Sequence, residues 1–439
     1  MPVRYRTYFV DLILRWFWEI IKCILDKSKS KDHSRFCIRN FYMPYSGKFE
    51  LSRLFPCIFM MLNFVLIGFA DENKLDEPGV FRTIVRKQGD EGVHTYRIPG
   101  LACSNKGTLL AVFDLRHKNS GDLPADMDVG LSRSIDQGKT WQKNQVILDY
   151  DKSEKDSKGN GVGDPCILID KKTGTIFVAA LWSKGNRGWN GSGPGLSPEE
   201  TGQFVITKSS DDGVTWSKPI NITAKIKGRD AKWRLCFQGP GNGIQLKDGT
   251  LVFPAQYREA NGVAHSCFIF SSDSGDTWTI SSPAIPGKQP TSESQIAELK
   301  DGSLLLSMRD ESRSGKRAWA RFQPDSGLAG GKWVENWSVV DDPTCMASLI
   351  RHPDGLLFFS NPASPKQRVA LTVRASSDNG KTWSKGRLID PRPSSYSSMT
   401  VLNDGSIGVL YECGPRSGIE TLSFVRFRPE WILEGDAKK

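Results

Sequence analysis

Beyond about residue 80 the chain alternates short apolar runs with clusters of small polar residues and glycine. Gln203-Phe-Val-Ile-Thr207, Ser303-Leu-Leu-Leu-Ser307 and Ala370-Leu-Thr-Val-Arg374 are typical. Each is rich in β-branched or bulky apolar residues, the pattern of β-strands. Four such runs lead into one recurring segment, S-x-D-x-G-x-T-W: Ser134 to Trp141, Ser209 to Trp216, Ser271 to Trp278 and Ser376 to Trp383. The chemistry of one copy predicts its shape. The Asp carboxylate folds back onto turn N–H groups, Gly takes a positive φ, and Trp opens the next strand and buries its ring. Between the copies stand Asp248-Gly249, Asp301-Gly302, Asp354-Gly355 and Asp404-Gly405, each a hairpin signal followed by an apolar strand.

Internal repetition of this kind decides the architecture. Four-stranded units of roughly 40–60 residues, repeated radially, predict an all-β protein of the β-propeller type. The four tryptophans stand 75, 62 and 105 residues apart, so the last interval is expected to hold a unit whose turn motif has decayed. The turn stabilises a hairpin and carries no chemistry, which leaves function open.

The first seventy residues follow another pattern. Leu54 to Ala70 is 17 residues without a charge, preceded by Lys48 and Arg53 and closed by Gly68-Phe69-Ala70. That is the basic, apolar and small-residue order of a signal peptide. An uncleaved signal anchor is the alternative, the run being marginal against the roughly 20 residues of a spanning helix. The run starts late, at Leu54. Either translation begins at Met43, or Tyr8 to Leu25 forms an amphipathic helix on a membrane surface. The expected organisation is an N-terminal extension, 1–70, and one domain, 80–435. The domain is expected to be secreted or periplasmic, or membrane-anchored through the extension, which is its only membrane contact.

Charge and cysteine usage narrow the classes. Of the formal net charge of +10, residues 1–70 carry +6 (11 Lys/Arg less 5 Asp/Glu), leaving +4 for the remainder. No concentrated basic stripe marks that remainder, which argues against nucleic-acid binding and suits an acidic small ligand. None of the nine cysteines forms C-x-x-C or a Cys/His cluster at zinc spacing, so no metal is expected. Six lie beyond residue 100 and read as buried small hydrophobes, with one disulfide open after export.

Ahead of the first repeat stands Tyr96-Arg97-Ile98-Pro99. An Arg-Ile-Pro element followed by repeated Asp boxes resembles the bacterial sialidases (exo-α-sialidases, neuraminidases) of the glycoside hydrolase family 33 type, over about residues 80–432. The resemblance implies a six-bladed propeller. It also implies hydrolysis of terminal sialic acid from glycoconjugates, with retention through a sialyl-tyrosine intermediate and no cofactor.

The substrate of that family explains its residues. Sialic acid bears a carboxylate on its anomeric carbon, so fork-shaped, permanently charged donors suit it, and arginine supplies them where lysine would not. Arg97, Arg309 and Arg368 match the family's three arginines. The same carboxylate would repel a carboxylate nucleophile, and sialidases use tyrosine; Tyr396 in Ser395-Tyr396-Ser397 matches it. A phenol with an ordinary pKa of about 10 needs a base. Glu293 matches that role, with Glu298, on an ordinary strand face, as competitor. The acid/base matches Asp122, ahead of Asp126, Asp114 and Asp128 in the same stretch. Arg116 matches a further substrate-contacting arginine, and Glu412 the glutamate that orients the first arginine. Asp164, Trp182 and Gln238 match positions lining the glycerol and N-acetyl subsites, although Trp182 reads equally as packing between strands. A trans-sialidase or intramolecular trans-sialidase would share these residues, and a non-catalytic sialic-acid-binding propeller is the remaining alternative. The expected partner is a sialylated glycan, and the expected state a monomer.

Overall fold

The computed structural model describes residues 77–150, 160–285, 287 and 289–437. The extension 1–70, with its apolar run 54–70, lies outside the described residues. From Phe81 to Phe427 the described chain is strands and turns with three short helical turns, and a helix, Pro429–Ala437, follows. The all-β expectation holds; the closing helix was not legible in the strand pattern.

Strands pair antiparallel in chain order. In the simplest sheet Thr291–Glu298, Leu304–Asp310, Lys316–Gln323 and Lys332–Asp341 are successive neighbours. This sheet occupies the long interval between Trp278 and Trp383, where a unit with a decayed motif was expected. Its third and fourth strands are joined through Ser326 and Gly327, at φ 49° and 101°. The same order recurs in Thr95–Cys103, Leu109–Arg116, Met127–Ser134 and Gln145–Leu148, and again from Gly161–Ile169 through Ile176–Ser183 and Gln203–Ser209 to Ile220–Asn221. One parallel pair, Met127 with Gly161, joins those two units. Near the end, the 15-residue strand Arg387–Val401 serves two units. Its first half pairs with Val369–Ser376 and its second half with Ile407–Cys413. The outermost strand of the last unit comes from the other end of the described chain: Phe81–Lys87 lies antiparallel to Thr421–Phe427.

The repeated turn is a clasp. In Ser209 to Trp216, Thr215 donates its amide and hydroxyl to the two oxygens of Asp211 at 2.9 and 2.6 Å. Ser209 Oγ donates to Asp211 at 2.8 Å and accepts from Gly213 N at 3.0 Å. The other three copies repeat these bonds. Two details differ from expectation. The residue before each glycine is also left-handed (Gln137, Asp212, Ser274 and Asn379 at φ 57° to 68°), so two consecutive positive φ angles make the turn. Trp also does not generally open a strand, since pairing resumes only at Gln145, Ile220 and Arg387 after three of the four copies. Those three rings are half-buried and only Trp278 is buried.

Apolar side chains collect between neighbouring sheets. Cys166, Phe177 and Phe204 share a cluster with Leu235, Phe253 and Cys267 of the next sheet. Leu101, Phe113 and Leu115 of the first unit share another with Leu402, Leu410 and Phe424 of the last. The six described cysteines are free thiols, and all but Cys103 are buried.

Candidate active site

Four innermost strands break register at one end. The breaks fall between Arg97 and Gly100, Gly163 and Cys166, Thr291 and Ser294, and Ser394 and Ser397. A β-bulge bends a strand and re-aims its side chains. These bulges contain or adjoin Arg97, Asp164, Glu293 and Tyr396. At Ile98 and Asp164, each followed by proline, φ is 56°, a conformation that costs a non-glycine residue about 1–3 kcal/mol. The surroundings hold Ile98 there. Its amide donates to Glu412 Oε1 at 2.7 Å, and its side chain packs with Cys345, Met346 and Tyr396.

Glu412 is fully buried and organises one side of the site. Its oxygens accept Arg97 Nε and Nη2 at 3.1 and 3.2 Å, so the guanidinium is gripped at two points. It also accepts the Tyr396 amide at 3.0 Å. One carboxylate thus positions the first arginine and the tyrosine backbone together.

Tyr396 is 5% exposed. Its hydroxyl donates toward Glu293, with Oε1 at 2.6 Å and Oε2 at 2.7 Å. Arg309 Nη1 bridges the pair, 2.9 Å from Glu293 and 3.1 Å from the phenol oxygen. The guanidinium carbons of Arg97 and Arg368 lie 5.3 and 5.6 Å from the centre of the tyrosine ring. Burial, and then the Glu293 charge, push the phenol well above its ordinary pKa, outweighing Arg309 and Arg368. The resting phenol is therefore neutral, and a base stands in contact with its proton. Arg368 donates to Ser395 Oγ at 3.2 Å and to the Thr344 carbonyl at 3.0 Å.

The acidic side centres on Arg116. This buried guanidinium donates to Asp114 through Nη2 at 2.8 Å and to Asp122 through Nη1 at 2.7 Å. The Asp122 side chain is 80% exposed, and Arg97 Nη1 stands 3.6 Å from it. Partial desolvation would raise its pKa, but Arg116, Arg97 and Arg309 together hold it below the usual carboxylate value. The Asp122 loop rests on glycine: a Cβ at Gly188 would stand 2.7 Å from the Leu123 carbonyl. Asp164 donates its amide to Asp114 at 2.8 Å, and its carbonyl accepts Gln238 Nε2 at 2.6 Å. Burial, reinforced by Asp114, Glu293 and Asp122, raises the Asp164 pKa well above the ordinary value.

The structure therefore brings Arg97, Arg116, Asp122, Glu293, Arg309, Arg368, Tyr396 and Glu412 into one connected set, with Asp164 and Gln238 adjoining it through Asp114. Trp182 is placed differently. It is buried, stacks on Tyr150 with ring centres 4.3 Å apart, and belongs to a core cluster with Val162 and Val205, which is the packing alternative. The competing carboxylates are engaged elsewhere: Glu298 accepts the Lys247 amide at 3.0 Å, Asp126 faces Lys118 at 3.1 Å, and Asp128 faces His117 at 2.9 Å. Asp114, weighed as the acid, is a support instead, and a second support, Glu311, was missed from the sequence. Asp114 anchors Arg116, and burial pushes its carboxyl up to about 6 even beside that arginine. Glu311 faces Arg309 Nε as an ion pair at 3.0 Å, outside hydrogen-bond alignment, and accepts Ser292 Oγ. The supporting role of Asp114 could have been read from its place as a lone carboxylate in an apolar run, since such a group needs a partner when buried.

A neutral phenol held on a carboxylate among three arginines suits a ligand that brings its own negative charge. Comparison with known proteins supplies the family. The BNR repeat-like domain matches residues 107–409. A sialidase of Bacteroides fragilis is 42% identical over 345 residues, covering 75% of this chain and 62% of the relative. A sialidase of Micromonospora viridifaciens is 36% identical over 359 residues, covering 78% and 53%. Among solved structures, the Hadza microbial sialidase Hz136 superposes with a TM-score of 0.74 at 40% identity, covering 80% of this chain and 69% of that one. The chain belongs to the sialidase family of BNR-repeat proteins. It spans somewhat more than half the length of the two curated relatives.

Proposed function

We propose that the protein is an exo-α-sialidase that hydrolyses terminal sialic acid from glycans with retention of configuration. The observation that carries this reading is the Tyr396 hydroxyl within 2.7 Å of both Glu293 oxygens, surrounded by Arg97, Arg309 and Arg368. In the scheme, the three arginines take the substrate carboxylate. Asp122 gives its proton to the glycosidic oxygen as the bond to the anomeric carbon breaks. Tyr396 Oη bonds to that carbon and passes its proton to Glu293. Water then attacks the sialyl-tyrosine, losing a proton to Asp122 while Glu293 returns its proton to the phenolate. A neutral nucleophile avoids the repulsion that a second carboxylate would meet there.

Six blades are part of the same proposal. Six hairpins at glycines 107, 174, 249, 302, 355 and 405 link first to second strands, each glycine at φ 78° to 94°. The cluster shared by the first and last units supports a closed ring.

Tyr396→Phe tests the nucleophile. It is expected to lower kcat on an aryl sialoside by at least about 10³, with a wild-type circular dichroism spectrum and melting curve. Near-normal turnover in that variant would remove tyrosine from the mechanism. Product analysis separates the alternatives: free sialic acid is expected from sialyllactose, whereas an anhydro or transferred sugar would indicate trans-sialidase chemistry.

A further inference from the structure

The strands that carry the site run on to a second cavity, of about 570 Å³. Thr95–Cys103, Thr291–Glu298 and Arg387–Val401 hold Arg97, Glu293 and Tyr396 near one end and line this cavity with Cys103, Glu298 and Val401 at the other. Five or six strand residues separate the two, roughly 16–20 Å. None of the residues assigned to the reaction lines it.

Its wall is unevenly charged. Lys171, Lys247 and Arg351 face Glu298, a balance of three positive charges to one negative. The hairpin aspartates nearby are held by their own turns, although the Asp404 and Asp212 charges still reach the Cys103 thiol on the same wall and Asp354 pairs with His352 at 3.0 Å. Asp248 accepts Thr250 N at 2.9 Å, Asp354 accepts Leu356 N at 2.8 Å, and Asp404 accepts Ser406 N at 2.9 Å. Glu298 is occupied by the Lys247 amide, not by its ammonium. Among the described residues, neither the Lys171 nor the Lys247 ammonium has a hydrogen-bond or ion-pair partner. The backbone beneath Lys171 is nevertheless fixed from two neighbouring units. Asn105 Nδ2 donates to its carbonyl at 2.8 Å, and its amide donates to Gln245 Oε1 at 2.8 Å. The Cys103 thiol on the cavity wall is pushed up by burial first, with the Lys171 charge favouring its thiolate and the Asp404 and Asp212 charges opposing it.

Two unpaired ammonium groups on a braced polar wall are matched by an anion, which would gain charge-assisted hydrogen bonds. The volume lies within the range of small-ligand sites, about 300–1,000 Å³. We propose that this cavity is a second binding site, separate from the reaction centre, for a small ligand bearing a carboxylate or phosphate, with Lys171 and Lys247 as its cationic contacts.

Calorimetry on the full chain tests this. The arginine site is first saturated with a 2,3-unsaturated sialic acid analogue, so that anions cannot report on it. Inorganic phosphate and citrate are then titrated separately at constant ionic strength. At least one is expected to bind saturably, and which of the two binds more tightly distinguishes phosphate from carboxylate chemistry. Lys171→Met/Lys247→Met is expected to weaken that binding at least tenfold, while the ligand-free melting curve and aryl sialoside turnover stay as in the wild type. If neither anion binds saturably to the filled enzyme, or if the double variant binds as tightly as the parent, the site does not exist as described.

Discussion

Arg116 carries more of the site's electrostatics than its single charge suggests. It lies between Asp114 and Asp122 at hydrogen-bond distance from both and is the strongest cationic influence on Asp122. In the proposed scheme, an acid held ionised by arginines is poorly poised to donate a proton until a substrate carboxylate draws on those same charges. Replacing Arg116 by Gln removes the nearest cation and lets the Asp122 pKa rise. The alkaline limb of kcat/KM for sialyllactose is then expected to move to higher pH, even as kcat falls because the loop is less firmly held. A pH–rate profile of the variant checks this, and an unmoved limb would mean that Arg116 does not govern the acid. At this scale the sequence was informative where residue type and motif coincide, as for Arg97, Glu293, Arg309, Arg368, Tyr396 and Glu412. It was silent where only a contact defines the role. Glu311 follows Arg309 by two residues and looks like an ordinary surface carboxylate. Trp182 looks equally like a wall of the site until its stacking on Tyr150 is known.

The elements owe their joints to the repeated turn. Hydrogen bonds from the Thr277 hydroxyl and amide and from Ser271 hold the Asp273 carboxyl at about 2, and Asp211, clasped by Thr215 and Ser209, is lowered as well. A depressed carboxyl pKa contributes stability above its unfolded value, near 3.9, and loses it as pH falls toward the folded value. Asp211→Ala is therefore expected to lower the melting temperature by a few degrees at pH 7 and to flatten its decline between about pH 4 and pH 2. Thermal unfolding across that range reads both effects, and aryl sialoside turnover should persist. A decline as steep as the parent's would place the acid sensitivity elsewhere. The Ser-x-Asp-x-Gly-x-Thr-Trp spacing revealed the clasp because all its bonds are local. The bulges at Arg97, Gly163, Thr291 and Ser394 were hidden, because a bulge depends on the partner strand and leaves no fixed local code.

The joining of the first described strand to the last belongs to the whole molecule. Phe81–Lys87 pairs with Thr421–Phe427, and the final helix packs nearby, its Trp431 and Ile432 sharing a cluster with Phe427, Val373 and Ala375. Ile432 is fully buried, and Arg387 lies over the Trp431 ring with 4.4 Å to its centre. Glu77 accepts both Trp431 Nε1 and Arg387 Nη2 at 2.7 Å. Ending the chain after Arg428 removes these contacts and is expected to cost at least about 5 kcal/mol, since one buried isoleucine costs about 2–5 and one buried tryptophan about 3–5 when deleted. A lower urea midpoint, with near-normal kcat below the transition, is the expected result. An unchanged midpoint would show that the helix does not secure these strands.

Taken by itself, the sequence determined the all-β repeat, the hidden unit between Trp278 and Trp383, and the chemical types gathered at the site. Local hydrogen bonds and residue spacing are enough for the first two, and the resemblance to a known family supplied the third. Only the tertiary structure decided that Asp114 and Glu311 face Arg116 and Arg309, that Glu412, expected to orient Arg97, takes the Tyr396 amide as well, and that a second, positively charged cavity lies at the far ends of the same strands. Those facts join residues up to 315 positions apart, and chain separation of that size carries no pattern along the sequence.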